Sequence, residues 1–255
     1  MKVTILGSGT SHGVPMIGCR CAVCTSTNPR NRRTRASALL EFDGRNVLID
    51  TSIDLRFQAL AAGLDRVDSI LFTHQHADHI CGFDDVRRFC SLQRTCIPCY
   101  GNAATVKHVQ RVFDYALTSA EKDFFDVPVA SFTAIDGPVE LFGRRVTPVP
   151  LVHGRWPCFG YRLGDFAYCT DVKEIPPASL ELLRGLDTLV LGALRHRPHP
   201  THFTVEQALA VVAELKPRRA LLTHIAHDLE HEATNAALPE GMELAYDGLE
   251  FEVNG

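Results

Sequence analysis

The stretch Thr73-His74-Gln75-His76-Ala77-Asp78-His79 constrains this chain more than any other. It follows the apolar run Ile70, Leu71, Phe72 and precedes Gly82, so it reads as a loop leaving a buried strand. Three imidazoles and a carboxylate within six residues supply nitrogen and oxygen donors at short, fixed offsets, as a divalent cation requires. A loop anchored at one end can aim alternate side chains at one point, a pattern met by His74 and His76. Asp78 and His79 then turn toward a second point nearby. Without a cation, the same side chains would make a poor core.

A second donor cluster lies at Cys19-Arg20-Cys21-Ala22-Val23-Cys24. Cys19, Cys21 and Cys24 supply three corners of a tetrahedral zinc site, and His227 is the candidate for the fourth. The chain has nine cysteines, an odd number, and is too long for a small secreted disulfide scaffold, so metal binding and reduced thiols fit better. One structural zinc here would clip the N-terminal loop near residues 19–24 to the C-terminal half. Cys96-Ile97-Pro98-Cys99 has redox spacing but lacks the helix start that lowers a thiol pKa, so it reads as two buried structural thiols.

The central segment resembles the T-H-x-H-x-D-H signature of the metallo-β-lactamase-fold hydrolases. The resemblance implies an α/β fold, a four-layer αββα sandwich, with a dinuclear metal site completed by a later His, an Asp and another His. The sequence offers these in order, each after an apolar run: His153 after Val146–Val152, Asp171 after Phe166–Thr170 and His224 after Ala220–Thr223. Carried over position by position, the family pattern puts one metal on His74, His76 and His153 and the other on Asp78, His79 and His224, bridged by Asp171. Manganese or zinc suits these donors, and iron is also compatible. Two such ions about 3.5 to 4 Å apart would acidify a water between them and stabilise a phosphodiester undergoing displacement.

The three-cysteine segment paired with His227 sharpens the resemblance to the phosphoribosyl cyclic phosphodiesterases of phosphonate breakdown, the PhnP type. In that group a His just before a late helix assists the leaving group. Of His196, His199 and His202, His202 matches best and His199 second, and Asp78 counts as both ligand and catalytic residue. The expected substrate is a small cyclic phosphodiester. The similarity weakens in two places that would shape a substrate pocket: Asp114–Val127, which reads as an insertion or lid, and the loop Arg195–Thr201.

A hydrophobic content of 45% over 255 residues is enough for a substantial core, read as one domain spanning residues 1–255. No run of about 18 apolar residues occurs and the start lacks a signal-peptide layout, which favours a soluble, cytoplasmic protein that does not engage membranes. The net charge of -4 argues against long nucleic acid, and a homodimer remains compatible. The basic run with Arg30, Arg32, Arg33 and Arg35 reads as solvated or phosphate-facing, and His12 as a plain loop residue. Hairpins are expected around Asp43-Gly44, Gly143-Arg144, Gly164-Asp165 and Asp247-Gly248, and helices over Ile53–Ala62, Phe83–Cys90, Ala103–Phe113, Pro177–Leu183 and Thr204–Leu215.

Two other readings compete. A tRNA 3′-processing endonuclease shares the metal signature but would need a basic RNA-gripping arm. A protein like the quinone-cofactor biosynthesis B family, with an oxidative or binding role, would show weakened ligands, whereas every ligand position is intact here.

Overall fold

Strands that are apolar on both faces need a covering layer on each side, which forces two sheets with helices outside them. The computed structural model describes residues 1–116 and 127–253. The first sheet takes β1 (Lys2–Gly7), β2 (Ser37–Phe42), β3 (Arg45–Ile49), β4 (Ser69–Leu71), β5 (Ile97–Gly101) and β6 (Ala130–Ala134). The second takes β7 (Val139–Leu141), β8 (Arg144–His153), β9 (Trp156–Leu163), β10 (Phe166–Cys169), β11 (Thr188–Gly192), β12 (Arg219–Thr223) and β13 (Met242–Leu244). The last strand, β14 (Leu249–Glu252), returns to the first sheet beside β1.

Period-2 alternation assigns each side chain to a layer. On β3, Val47 and Ile49 enter the core between the sheets, while Leu48 joins the outer core. On β11, Val190 faces inward and Leu189 and Leu191 outward. Behind the first sheet, α1 (Leu55–Ala62), the single turn α2 (Ala77–Ile80), α3 (Val86–Gln93) and α4 (Ala103–Val112) bury Leu55, Ile80, Phe89 and Val109 against Leu48 and Ile70. Outside the second sheet lie α5 (Pro177–Leu182), α6 (Val205–Leu215) and α7 (His231–Ala237), with Val212 and Leu215 of α6 covering the sheet's outer core. These layers are the expected αββα sandwich.

Parallel pairing runs through β3-β4-β5-β6 in one sheet and β10-β11-β12-β13 in the other. The carboxyl ends of parallel strands are where open sheets present ligand-binding groups. Asp50, Thr73, Asp171 and His224 leave β3, β4, β10 and β12 at those ends, and His153 is the last residue of β8.

Three of the expected hairpins form; at two of them Asp43-Gly44 and Phe142-Gly143 supply the paired positive φ angles of tight turns. The fourth does not. β13 pairs parallel to β12, whereas β14 pairs antiparallel to β1 in the opposite sheet. The cause is Asp247, whose carboxylate accepts from Ser8 N (2.9 Å) and Oγ (2.8 Å) and from Thr34 N (2.7 Å) and Oγ1 (2.6 Å). Those bonds draw the Asp247-Gly248 corner across to the other sheet.

Other expectations shift locally. The helix expected over Phe83–Cys90 begins as a 3-10 stretch, Cys81–Asp85, before α3 proper. Cys96 is exposed and only Cys99 is buried, so the pair is not a buried structural one. The arginine run works largely within the fold: Arg33 is buried and donates to the carbonyls of Ala226 (3.1 Å) and Leu229 (2.9 Å). Arg35 pairs with Asp54 at 3.1 Å, Arg30 lies 4.7 Å over the Tyr246 ring, and Arg32 is exposed. Residues 117–126 of the expected lid lie outside the described residues; just before them, Tyr115 donates to Asp84 at 2.6 Å. No helix among the described residues is long and apolar enough to cross a membrane.

Candidate metal centre

The centre is built on a carboxylate that supports other side chains. Asp50, at φ 62° after β3, accepts from Thr73 N (2.7 Å) and Thr73 Oγ1 (2.7 Å), and lies 2.6 Å from His79 Nδ1. Burial pushes its carboxyl up, against the pull of the His79 ring. Because Nδ1 of His79 is committed to Asp50, Nε2 faces the cluster. The loop is clamped further by Thr51 N to His79 O at 2.9 Å and Gly82 N to Thr51 O at 3.0 Å. A Cβ at Gly82 would collide with the Ser52 carbonyl oxygen, so glycine alone permits this close approach.

The donor atoms then converge. His74 Nε2 lies 2.8 Å from His76 Nδ1, which is 3.2 Å from His153 Nε2. His153 presents that nitrogen because its Nδ1 bonds Thr201 O at 2.9 Å. His79 Nε2 lies 3.3 Å from Asp78 Oδ2 and 3.1 Å from Asp171 Oδ2, and His224 Nε2 lies 3.7 Å from Asp78 Oδ2 and 3.3 Å from Asp171 Oδ1. Asp171, at φ 45°, therefore stands between the two triads, and His224 sits at φ 58°.

These residues fit divalent cations. Ligands about 2.0 to 2.1 Å from an ion stand roughly 3 Å from one another, close to the spacings found here. His79 Nε2 and His224 Nε2 are buried with no hydrogen-bond partner, as donor atoms reserved for a metal would be. The charges are also arranged for it. Burial would neutralise Asp171, yet His224, His79 and His74 hold it well below the usual carboxylate range. His74 is pushed down by burial and then by the charge of His79, leaving its nitrogen free to ligate.

The thiol cluster has equally good geometry. His227 Nδ1 lies 3.2, 3.4 and 3.5 Å from the sulfurs of Cys19, Cys21 and Cys24. A tetrahedral ion with sulfur at about 2.3 Å and nitrogen at about 2.0 Å has edges of roughly 3.5 Å. The Cys24 N–H pulls the Cys21 thiol down to about 6, while burial pushes Cys24 up to about 11. This set of donors could hold zinc.

Every metal-site candidate from the sequence is thus brought into one of two clusters. His202 joins the first, with its Nδ1 3.8 Å from Asp171 Oδ1 and its ring stacked 4.7 Å from that of His224. Burial, then the charge of His224, pushes it down to about 3. His199 stands one step outward, 5.0 Å from the His202 ring, and His196 is turned away to Glu206 at 2.6 Å. Sequence reasoning missed Asp50 and Thr73. The available signal for Asp50 was an acid ending the apolar run Val47-Leu48-Ile49, the same signal that marks Asp171.

A family model for the β-lactamase superfamily domain matches residues 45–225, which contain both donor triads. The chain belongs to the β-lactamase superfamily. A Porphyromonas gingivalis protein named octanoyltransferase is 35% identical over 98% of this chain, but the chain spans about half (51%) of that relative's length. The crystal structure of a diphosphatase from the PhnP family shares 46% identity with a TM-score of 0.92, over 99% of this chain and 98% of that one. Zinc-bound PqqB from Methylobacterium extorquens, at 20% identity and TM-score 0.81 over 99% of this chain and all (100%) of that one, shares the fold. The metallo-β-lactamase fold is thereby established, and the paired clusters at its rim are suited to hold divalent metal ions.

Two variants test the centre. Asp50→Ala is expected to weaken divalent-metal binding at the histidine cluster roughly 10- to 100-fold in a chelator competition, because it frees the His79 ring. Unchanged affinity would show that Asp50 does not orient this ligand. Cys21→Ala is expected to lower the melting temperature while leaving histidine-cluster metal content intact; equal stability with one fewer zinc would reduce the thiol site to a local clip.

Proposed function

We propose that the chain is a metal-dependent phosphodiesterase acting on a small, cyclic phosphodiester. The observation that carries this reading is the pair of donor triads sharing Asp171 with His202 beside them. His74, His76 and His153 would hold one ion, Asp78, His79 and His224 the second, with Asp171 between them; manganese or zinc suits both, and Cys19, Cys21, Cys24 and His227 suit a structural zinc. When bound, such ions polarise the phosphoryl oxygens and lower the pKa of water.

The chain's own residues supply the rest. Asp50 and the Thr201 carbonyl fix the His79 and His153 rings, so little reorganisation is needed. With its proton affinity so low, His202 is a neutral ring at pH 7, offering an N–H to the leaving oxygen rather than a stored proton. His199 backs it from the outer side.

Beside His202 and His199 opens a cavity of about 280 Å³, its wall including Thr10, His12, Arg195 and Asp228. These polar groups suit a compact sugar phosphate better than an acyl chain. The 46% identical relative described as a diphosphatase supports phosphoryl chemistry. The P. gingivalis relative named octanoyltransferase is a protein about twice as long, so its name weighs less here than that of the diphosphatase matched over 98% of its chain.

Metal-stripped protein reconstituted separately with manganese and zinc is expected to turn over a chromogenic phosphodiester in preference to a phosphomonoester and a thioester. Activity confined to the thioester would overturn the proposal. His202→Ala should keep its metal content and lose about 10²- to 10³-fold in kcat on the diester; unchanged turnover would remove His202 from the reaction.

A further inference from the structure

Apart from the His199 cavity, with which it shares no lining residue, a hollow of about 400 Å³ opens beside His76. Its wall is made by Gln75, Lys107, His108, Arg111 and Trp156. The first triad therefore borders it directly through His76, and its own side chains are absent from the chemistry described above.

The fold holds these groups in place from two directions. Asn102 caps α4 by accepting from Thr105 N at 2.9 Å, and its Nδ2 donates to the Pro157 carbonyl at 3.3 Å, tying the helix start to β9. Lys107 and Arg111 are then one turn apart on α4, on a shared face. From the other side, the β8–β9 register sets Trp156 directly opposite His153. Arg155 packs 4.7 Å over the indole, yet Trp156 remains 36% exposed.

Several arginines of this chain are matched with acids, as in Arg45–Asp68, Arg218–Asp187 and Arg219–Glu243. Among the described residues no carboxylate pairs with Lys107, Arg111 or Arg155; Arg111 instead donates to His108 Nδ1 at 3.2 Å. Lys107 and Arg111 beside a partly exposed indole provide for one phosphate and one planar ring. An extended polynucleotide would need a longer basic track than these few groups in a chain of net charge -4.

We infer that this hollow is a nucleotide subsite, in which a nucleobase stacks on Trp156 and a phosphate pairs with Lys107 and Arg111. The substrate would then be a small nucleotide ester whose scissile diester lies at the histidine cluster. This inference rests on the phosphodiesterase reading for its catalytic part only.

Three p-nitrophenyl diesters with the same leaving group separate the contributions: the methyl ester, the thymidine 5′-ester and the thymidine 5′-ester bearing a 3′-phosphate. The metal-loaded wild type is expected to gain about tenfold in kcat/KM at each step, mainly through KM. Trp156→Ala should cancel the first gain and Lys107→Ala/Arg111→Ala the second, with the methyl ester turned over as before. A flat series, or variants that slow all three esters alike, would overturn the inference.

Should no diester be turned over, the phosphodiesterase reading falls and the subsite is still read by binding. Trp156 is the chain's one tryptophan, so its emission reports occupancy directly. Thymidine 3′,5′-bisphosphate should quench it and bind at least tenfold less tightly to Lys107→Ala/Arg111→Ala, whereas ribose 5-phosphate should not quench. Equal quenching by the two compounds, or none, would overturn the nucleotide assignment. So would a transfer RNA that binds far more tightly than the bisphosphate and loses that affinity in the double variant, since the surface would then be an RNA-binding one.

Discussion

Asp171 is a carboxylate buried among five imidazoles, and the architecture of the site follows from keeping it charged. His79, His224, His153, His202 and His74 stand between 3.1 and 3.9 Å from its oxygens. A lone buried carboxylate would take up a proton; surrounded by nitrogen donors it stays ionised, and it can serve two cations at once. The imidazoles cannot all be protonated together, and burial forces His74 and His202 down. The cluster's unmet demand is therefore for positive charge that is not a proton.

The sandwich meets that demand by ending its strands at a common rim. Two parallel blocks, one per sheet, bring Asp50 and the His74 loop against Asp171 and His224, while the β8–β9 hairpin contributes His153. Asp50, Asp171 and His224 all take positive φ, which costs about 1 to 3 kcal/mol at each such residue. Those conformations persist because the adjoining strands are pinned on both faces by packed cores. Stability in the layers thus sustains strain at the rim.

The parts of this site that were legible in the sequence were those written locally. His74 to His79 lie within one loop, and Cys19 to Cys24 within another, so spacing alone revealed donor chemistry. His153, Asp171 and His224 are isolated in the chain, and became readable only through resemblance and their place after apolar runs. Asp50 carries the same local mark as Asp171, but its role depends on contacts with Thr73 and His79 that no nearby residue announces. Arg33 is a sharper case: it sits in a run that reads as surface, and is buried by carbonyls almost two hundred residues away. Asp247-Gly248 likewise has the sequence of a hairpin turn, overruled by four hydrogen bonds from Ser8 and Thr34.

The return of β14 to β1 has a consequence for assembly. β1 lies between β2, its neighbour along the chain, and β14, whose partner residues stand about 250 positions later, so one of its edges stays unpaired until β14 is available. His227 must likewise reach back to cysteines at residues 19–24. During synthesis the β2–β3 hairpin can form early, but the first sheet and the thiol cluster wait until β14 and His227 have been made. An exposed strand edge invites pairing with other chains, so the interval before closure is the period of greatest aggregation risk for this protein.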